Sequence, residues 1–240
     1  MTSPLNVGLM VPSNNTTLER ELPGWLPPGS QFTTLKIPRD NGLLTVETLP
    51  AYKAGALKLA QQFTAANIDV VLYGCTAAGF ISGPSGDASL AKELAQITGK
   101  PVVTVARAMV RSLQEIGASK IALVTPYIQA VNDSLKEFLA ASVIQGRCFN
   151  SFYAPNVDAL GRIEADAVAA MARETMDEGC DAMFIACAQL PTQSIREELE
   201  KEFGRPVLSS NFAATREAVR AVALDSATVG SNSVLNPNLT

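Results

Sequence analysis

Apolar residues follow two rhythms along this chain. Short solid runs, such as Val70-Val71-Leu72-Tyr73 and Ala182-Met183-Phe184-Ile185-Ala186, alternate with longer stretches in which apolar positions recur every three or four residues. A short solid run between turn residues marks a strand covered on both faces, and the longer rhythm marks a helix with one buried stripe. The pattern predicts strands over 6–12, 31–37, 69–73, 100–105, 120–127, 147–152, 180–185 and 205–210. The strand over 31–37 alternates and belongs nearer a sheet edge. Helices are predicted from Leu18 to Leu22, Thr48 to Ala65, Leu90 to Thr98, Ala106 to Ile116, Val131 to Ala141, Ala159 to Glu178, Leu190 to Phe203 and Asn211 to Leu224. Pro23 to Gly29 breaks the first helix, Ser82 to Asp87 reads as a loop, and Asp225 to Thr240 as a weakly structured tail.

Strands alternating with helices in this way imply an α/β fold with parallel sheets covered on both faces. Midway the series restarts. Val11-Pro12 is matched by Thr125-Pro126, Lys100-Pro101-Val102-Val103 by Arg205-Pro206-Val207-Leu208, and Cys75 by Cys187. The reading is two pseudo-symmetric α/β halves, 1–117 and 118–224, with the last helix of the first half able to pack on the other, followed by the tail 225–240. Ligands of open parallel sheets bind beyond the C-terminal ends of the strands. Two such halves facing one another would bring both proline turns and both of these cysteines to a single cleft.

Composition narrows the chemistry. The 240 residues suffice for a sizeable core, and 47% hydrophobic with 18% charged residues is ordinary for a globular chain. A net charge of −4 argues against nucleic-acid or anionic-membrane partners. No apolar run approaches the ~20 residues that span a bilayer, and the first residues lack a signal-peptide pattern, so a cytoplasmic location is the expectation. Four cysteines, Cys75, Cys148, Cys180 and Cys187, make no disulfide scaffold and no Cys-x-x-Cys metal spacing, so no metal site is expected.

The decisive count is zero histidines. Ser-His-Asp and Cys-His catalysis, imidazole proton shuttling and His-ligated metals are all excluded. Of the remaining proton-transfer groups, thiols titrate nearest neutrality. Cys75 and Cys187 each follow a buried strand and precede small or polar residues. Helix N-termini after them would lower their pKa values and favour thiolate. Cys148 and Cys180 read instead as small buried hydrophobes. Asn15, Thr16, Thr17 and Thr76, with backbone N–H groups after each cysteine (Ala77, Ala188), form a set of neutral donors suited to carboxylates, although Ser13–Thr17 also reads as a simple helix cap. Tyr127 would project a phenol into the same cleft, and Asn156 reads either as a turn residue or as a third amide donor.

These residues resemble the aspartate/glutamate racemase superfamily. Val11-Pro12-Ser13-Asn14-Asn15-Thr16-Thr17-Leu18-Glu19 is similar to the opening motif of maleate cis–trans isomerases, Thr125-Pro126-Tyr127 to their second turn, and the Cys187 segment to their second cysteine motif. The resemblance spans about residues 5–224. It implies two Rossmann-like or flavodoxin-like halves, a cofactor-independent enzyme without metal, and a small mono- or dicarboxylate substrate, with a homodimer or higher homo-oligomer common among relatives. It further implies that Asn15, Tyr127 and Asn156 grip the carboxylates. Cys75 would attack maleate to form a succinyl adduct, and Cys187 would protonate the adjacent carbon, yielding fumarate. Thr76-Ala77-Ala78-Gly79-Phe80 departs from this branch and resembles the loop of arylmalonate decarboxylases, which have glycine at the Cys75 position. An amino-acid or hydantoin-type racemase, or a decarboxylase-like enzyme, is therefore the alternative, and a non-catalytic carboxylate-binding protein a further one. Residues 38–50 and 79–88 are expected to shape the pocket.

Overall fold

The computed structural model describes residues 3–39 and 42–232. Among these residues, eight strands form two four-stranded parallel sheets. In the first, β1 (Asn6–Pro12), β2 (Gln31–Ile37), β3 (Val70–Tyr73) and β4 (Val102–Thr104) run in the order β2-β1-β3-β4. In the second, β5 (Lys120–Thr125), β6 (Gln145–Ser151), β7 (Ala182–Ile185) and β8 (Val207–Ser209) run β6-β5-β7-β8, the same order. The paired motifs thus occupy equivalent positions: Pro12 ends β1 and Pro126 follows β5, while Cys75 and Cys187 follow β3 and β7. The central strands β3 and β7 are buried along their whole length, which accounts for their unbroken apolar runs. The alternating strand β2 lies at an edge.

Among the described residues, ten α-helices accompany the strands: α1 (Thr17–Glu21), α2 (Leu49–Ala60), α3 (Thr76–Ile81), α4 (Gly83–Thr98), α5 (Val105–Glu115), α6 (Gln129–Ala140), α7 (Val157–Gly161), α8 (Ala165–Thr175), α9 (Arg196–Phe203) and α10 (Ser210–Asn232), the last following the final strand. Four segments differ from the sequence pattern. Residues 82–87 belong mostly to α4, because Pro84 sits in the first turn, where its fixed φ and missing N–H are tolerated. The predicted helix 159–178 is interrupted between α7 and α8. Helix α9 starts only at Arg196; the turns before it present the backbone N–H groups of Thr192 and Gln193 to the buried Glu21 carboxylate at 2.6 and 2.8 Å. Helix α10 continues through 225–232, where no proline intervenes and the first glycine is Gly230; the rest of the predicted tail, 233–240, lies outside the described residues.

The two sheets are joined by more than chain connectivity. Helix α10, which follows the last strand of the second sheet, packs against α5 and against β3 and β4 of the first. Glu21, at the end of α1 and 4% exposed, accepts from Thr192 and Gln193 and also from Asn211 Nδ2 at 2.7 Å. Among the described residues, no helix is long and apolar enough to cross a membrane.

Candidate active site

The C-terminal ends of β1, β3, β5 and β7 open onto one cleft of about 560 Å³, its mouth included. Both Cys75 and Cys187 line it, 4% and 8% exposed. Pro12, Asn15, Thr76, Ala77, Tyr127, Ala188 and Gln189 share the lining. Leu43, Leu44, Val131, Val157 and Leu160 make an apolar wall, and Arg39 is the cation among the lining residues.

Close approach delivers Cys75. A Cβ on Gly74 would stand 2.7 Å from both Leu18 Cδ2 and Val11 Cγ1, so only glycine lets the end of β3 lie against β1 and α1. Cys75 then occupies the N-cap of α3 in extended conformation; its side chain makes no cap hydrogen bond, although the nearby Ala77 and Ala78 amides favour its thiolate. The buried Tyr52 hydroxyl lies beside the same sulfur. Cys187 differs from its counterpart. A turn follows it rather than a helix, and its sulfur accepts from Gln189 N–H at 3.4 Å. The expectation of helix-lowered thiol pKa values is overturned: burial pushes both thiols up, only partly opposed at Cys75 by Arg39 and the two amides, and at Cys187 by Gln189 N–H and the Tyr127 hydroxyl.

A polar bridge spans the cleft floor. Ala188 N–H donates to Thr76 Oγ1 at 3.2 Å, Thr76 Oγ1 donates to Ser210 Oγ at 3.4 Å, and Cys187 N–H donates to the same serine at 3.0 Å. The Ala188 amide, expected to face a ligand, is therefore already engaged by Thr76. Tyr127 packs edge-to-face on Phe80, 5.4 Å between centroids. Its buried hydroxyl lies close to Cys187 and Thr76 with no hydrogen bond of good geometry, and burial holds its phenol well above the ordinary range. Asn15 spends Oδ1 on Leu18 N–H at 3.1 Å, so the cap reading and the cleft position coexist.

Two expected residues stand apart. Asn156 is exposed, is not among the cleft-lining residues, and caps α7 with its Oδ1 accepting from Ala159 N–H at 2.9 Å. Thr16 does not line the cleft, and its N–H donates to Gln189 Oε1 at 3.2 Å. Of the segments expected to shape the pocket, 38–50 contributes Arg39, Leu43 and Leu44, whereas 79–88 contributes nothing, being packed as helix. Sequence reasoning missed Arg39 and Gln189, which carry no motif signal. It also missed that Cys148 and Cys180 meet: their sulfurs and an Asp177 oxygen lie within 4.8 Å of one another, away from the cleft.

Two thiols brought together at equivalent strand ends of two like parallel sheets make this an α/β site for cysteine chemistry. The model of the arylmalonate decarboxylase family matches residues 7–235, and the chain belongs to that family. Among its relatives is the maleate isomerase of Nocardia farcinica, 30% identical over 237 residues, which cover 95% of this chain and 94% of the relative. A cysteine-to-serine variant of the N. farcinica enzyme, solved with a covalently bound succinylcysteine intermediate, superposes with a TM-score of 0.82 at 28% identity, covering 92% of this chain and 94% of that one. A liganded arylmalonate decarboxylase variant, in which a glycine is replaced by cysteine and a cysteine by serine, gives 0.80 at 26% identity, covering 92% and 93%.

Proposed function

We propose that this enzyme isomerises a small unsaturated dicarboxylate, maleate to fumarate, through a covalent adduct on Cys75. The observation that carries the reading is the delivery of two thiols to one cleft by equivalent strand ends. The helix start at Cys75 and the turn at Cys187 supply the asymmetry that such a reaction needs. Cys75 is taken as the nucleophile, because the Arg39 charge and the Ala77 and Ala78 amides at the start of α3 favour its thiolate against burial. Its sulfur attacks one olefinic carbon as the π pair takes the Cys187 proton at the other carbon. The resulting thioether has a single carbon–carbon bond and rotates. Return of that proton to Cys187 and cleavage of the carbon–sulfur bond then release fumarate and restore the Cys75 thiolate. Asn15 Nδ2 and the Tyr127 hydroxyl are positioned to hold carboxylate oxygens as charge develops.

Incubation with maleate followed by proton NMR is expected to show fumarate. Cys75→Ala and Cys187→Ala are each expected to abolish it, and the reading fails if either variant keeps full turnover. The apolar wall supports a second reading, in which the thiols exchange the α-proton of a carboxylic acid carrying an apolar substituent. In that case deuterium enters the α-position of such an acid in heavy water while maleate stays unchanged.

A further inference from the structure

We propose that Arg39 selects a second carboxylate and thereby restricts this cleft to small dicarboxylates; the proposal rests on the two-carboxylate reading above. Arg39 follows the edge strand β2 and enters the cleft wall beside Leu43 and Leu44. Its Nε is buried and has no hydrogen-bond partner, and among the described residues no acidic side chain pairs with it. Among the described residues, no Asp or Glu lines the cleft. A buried guanidinium nitrogen without a partner is rare, because polar groups taken from water are ordinarily bonded. The donor that Arg39 presents is therefore left for a ligand.

The remaining lining groups show what that ligand must be. Neutral donors, Asn15 Nδ2 and the Tyr127 hydroxyl, suffice for one carboxylate. A dianion carries a second charge that neutral groups stabilise poorly next to an apolar wall. A guanidinium offers a planar fork matched to two carboxylate oxygens, and its charge acts more strongly where leucines exclude water. The same charge is felt at both sulfurs, which places Arg39 within electrostatic reach of the whole cleft. A monocarboxylate with an apolar tail would instead leave the guanidinium unpaired against that tail. The cation thus favours the dicarboxylate and disfavours its competitor with one group.

Binding is tested with non-reacting probes, succinate and butyrate, titrated calorimetrically into the intact enzyme. The expected result is a preference for succinate of at least tenfold. Arg39→Gln is expected to remove that preference chiefly by weakening succinate, and to keep the wild-type melting temperature, while Arg39→Lys keeps part of the preference. Wild type without a preference for succinate would overturn the proposal, as would Arg39→Gln with the preference intact, or butyrate affinity falling in parallel with that for succinate. Because the probes do not react, the result is independent of turnover. Succinate selectivity lost in Arg39→Gln alongside no maleate turnover would sustain Arg39 and reject isomerisation.

Discussion

Burial raises both cleft thiols, so neither rests as thiolate near neutrality without help. The reaction proposed needs one thiolate and one thiol together. Activity should then rise with pH as the first thiol ionises and fall as the second follows, because a proton donor must remain. The expected kcat/KM profile is a bell whose limbs both lie above neutral pH; an optimum below neutrality would contradict two buried thiols as the working pair. Beside them, Gly74 is set by contact rather than by backbone freedom. Gly74→Ala forces a methyl to 2.7 Å from Leu18 and Val11 side-chain carbons, and overpacking of this kind costs about 1–3 kcal/mol. Urea unfolding should register that loss, and turnover should fall with it, because the next residue is Cys75. Gly74-Cys75-Thr76 was legible as a special position from the strand that precedes it. Arg39 was not, because an arginine after a strand looks the same in sequence whether it faces water or a cleft.

At the scale of elements, helix ends show how local rules were read and where they were broken. Gly99, Gly117 and Gly204 take left-handed φ of 66°, 67° and 58° just after α4, α5 and α9, as punctuation in the sequence implies. After α6 the same position holds Val143, φ 61°, 85% exposed. Ile144 N–H donates to Leu139 O at 3.1 Å and Val143 N–H to Ala140 O at 2.9 Å, so the turn is built although a β-branched residue occupies it. Val143→Gly should raise stability by about 1 kcal/mol, since the side chain buries little and the conformation disfavours it; a lower unfolding midpoint would refute this. The segment 190–203 shows the opposite conflict. Its helical spacing is genuine, yet the helix begins only at Arg196, after turns whose Thr192 and Gln193 N–H groups meet the Glu21 carboxylate.

For the whole molecule, Glu21 is the polar tie between the first segment of the chain and the second sheet. Glu21→Ala would strand Thr192 N–H, Gln193 N–H and Asn211 Nδ2 in a buried setting, at a cost of about 3 kcal/mol or more. Chemical denaturation should show that loss, with Glu21→Gln recovering part of it. Helix α10 works to the same end by crossing to α5, β3 and β4. The sequence by itself determined the α/β alternation, the repeat and the two cysteines at equivalent strand ends, because buried parallel strands require unbroken apolar runs and their ends require turn residues. Only the tertiary structure decided which side chains share the cleft. Thr76 reaches Ala188 and Ser210, and Arg39 enters the apolar wall, because contacts between residues far apart in the chain leave no periodicity to read. Burial likewise reversed the expected direction of the thiol pKa values: desolvation in the assembled cleft outweighs the amides at a helix start, and neither magnitude is written in the motif.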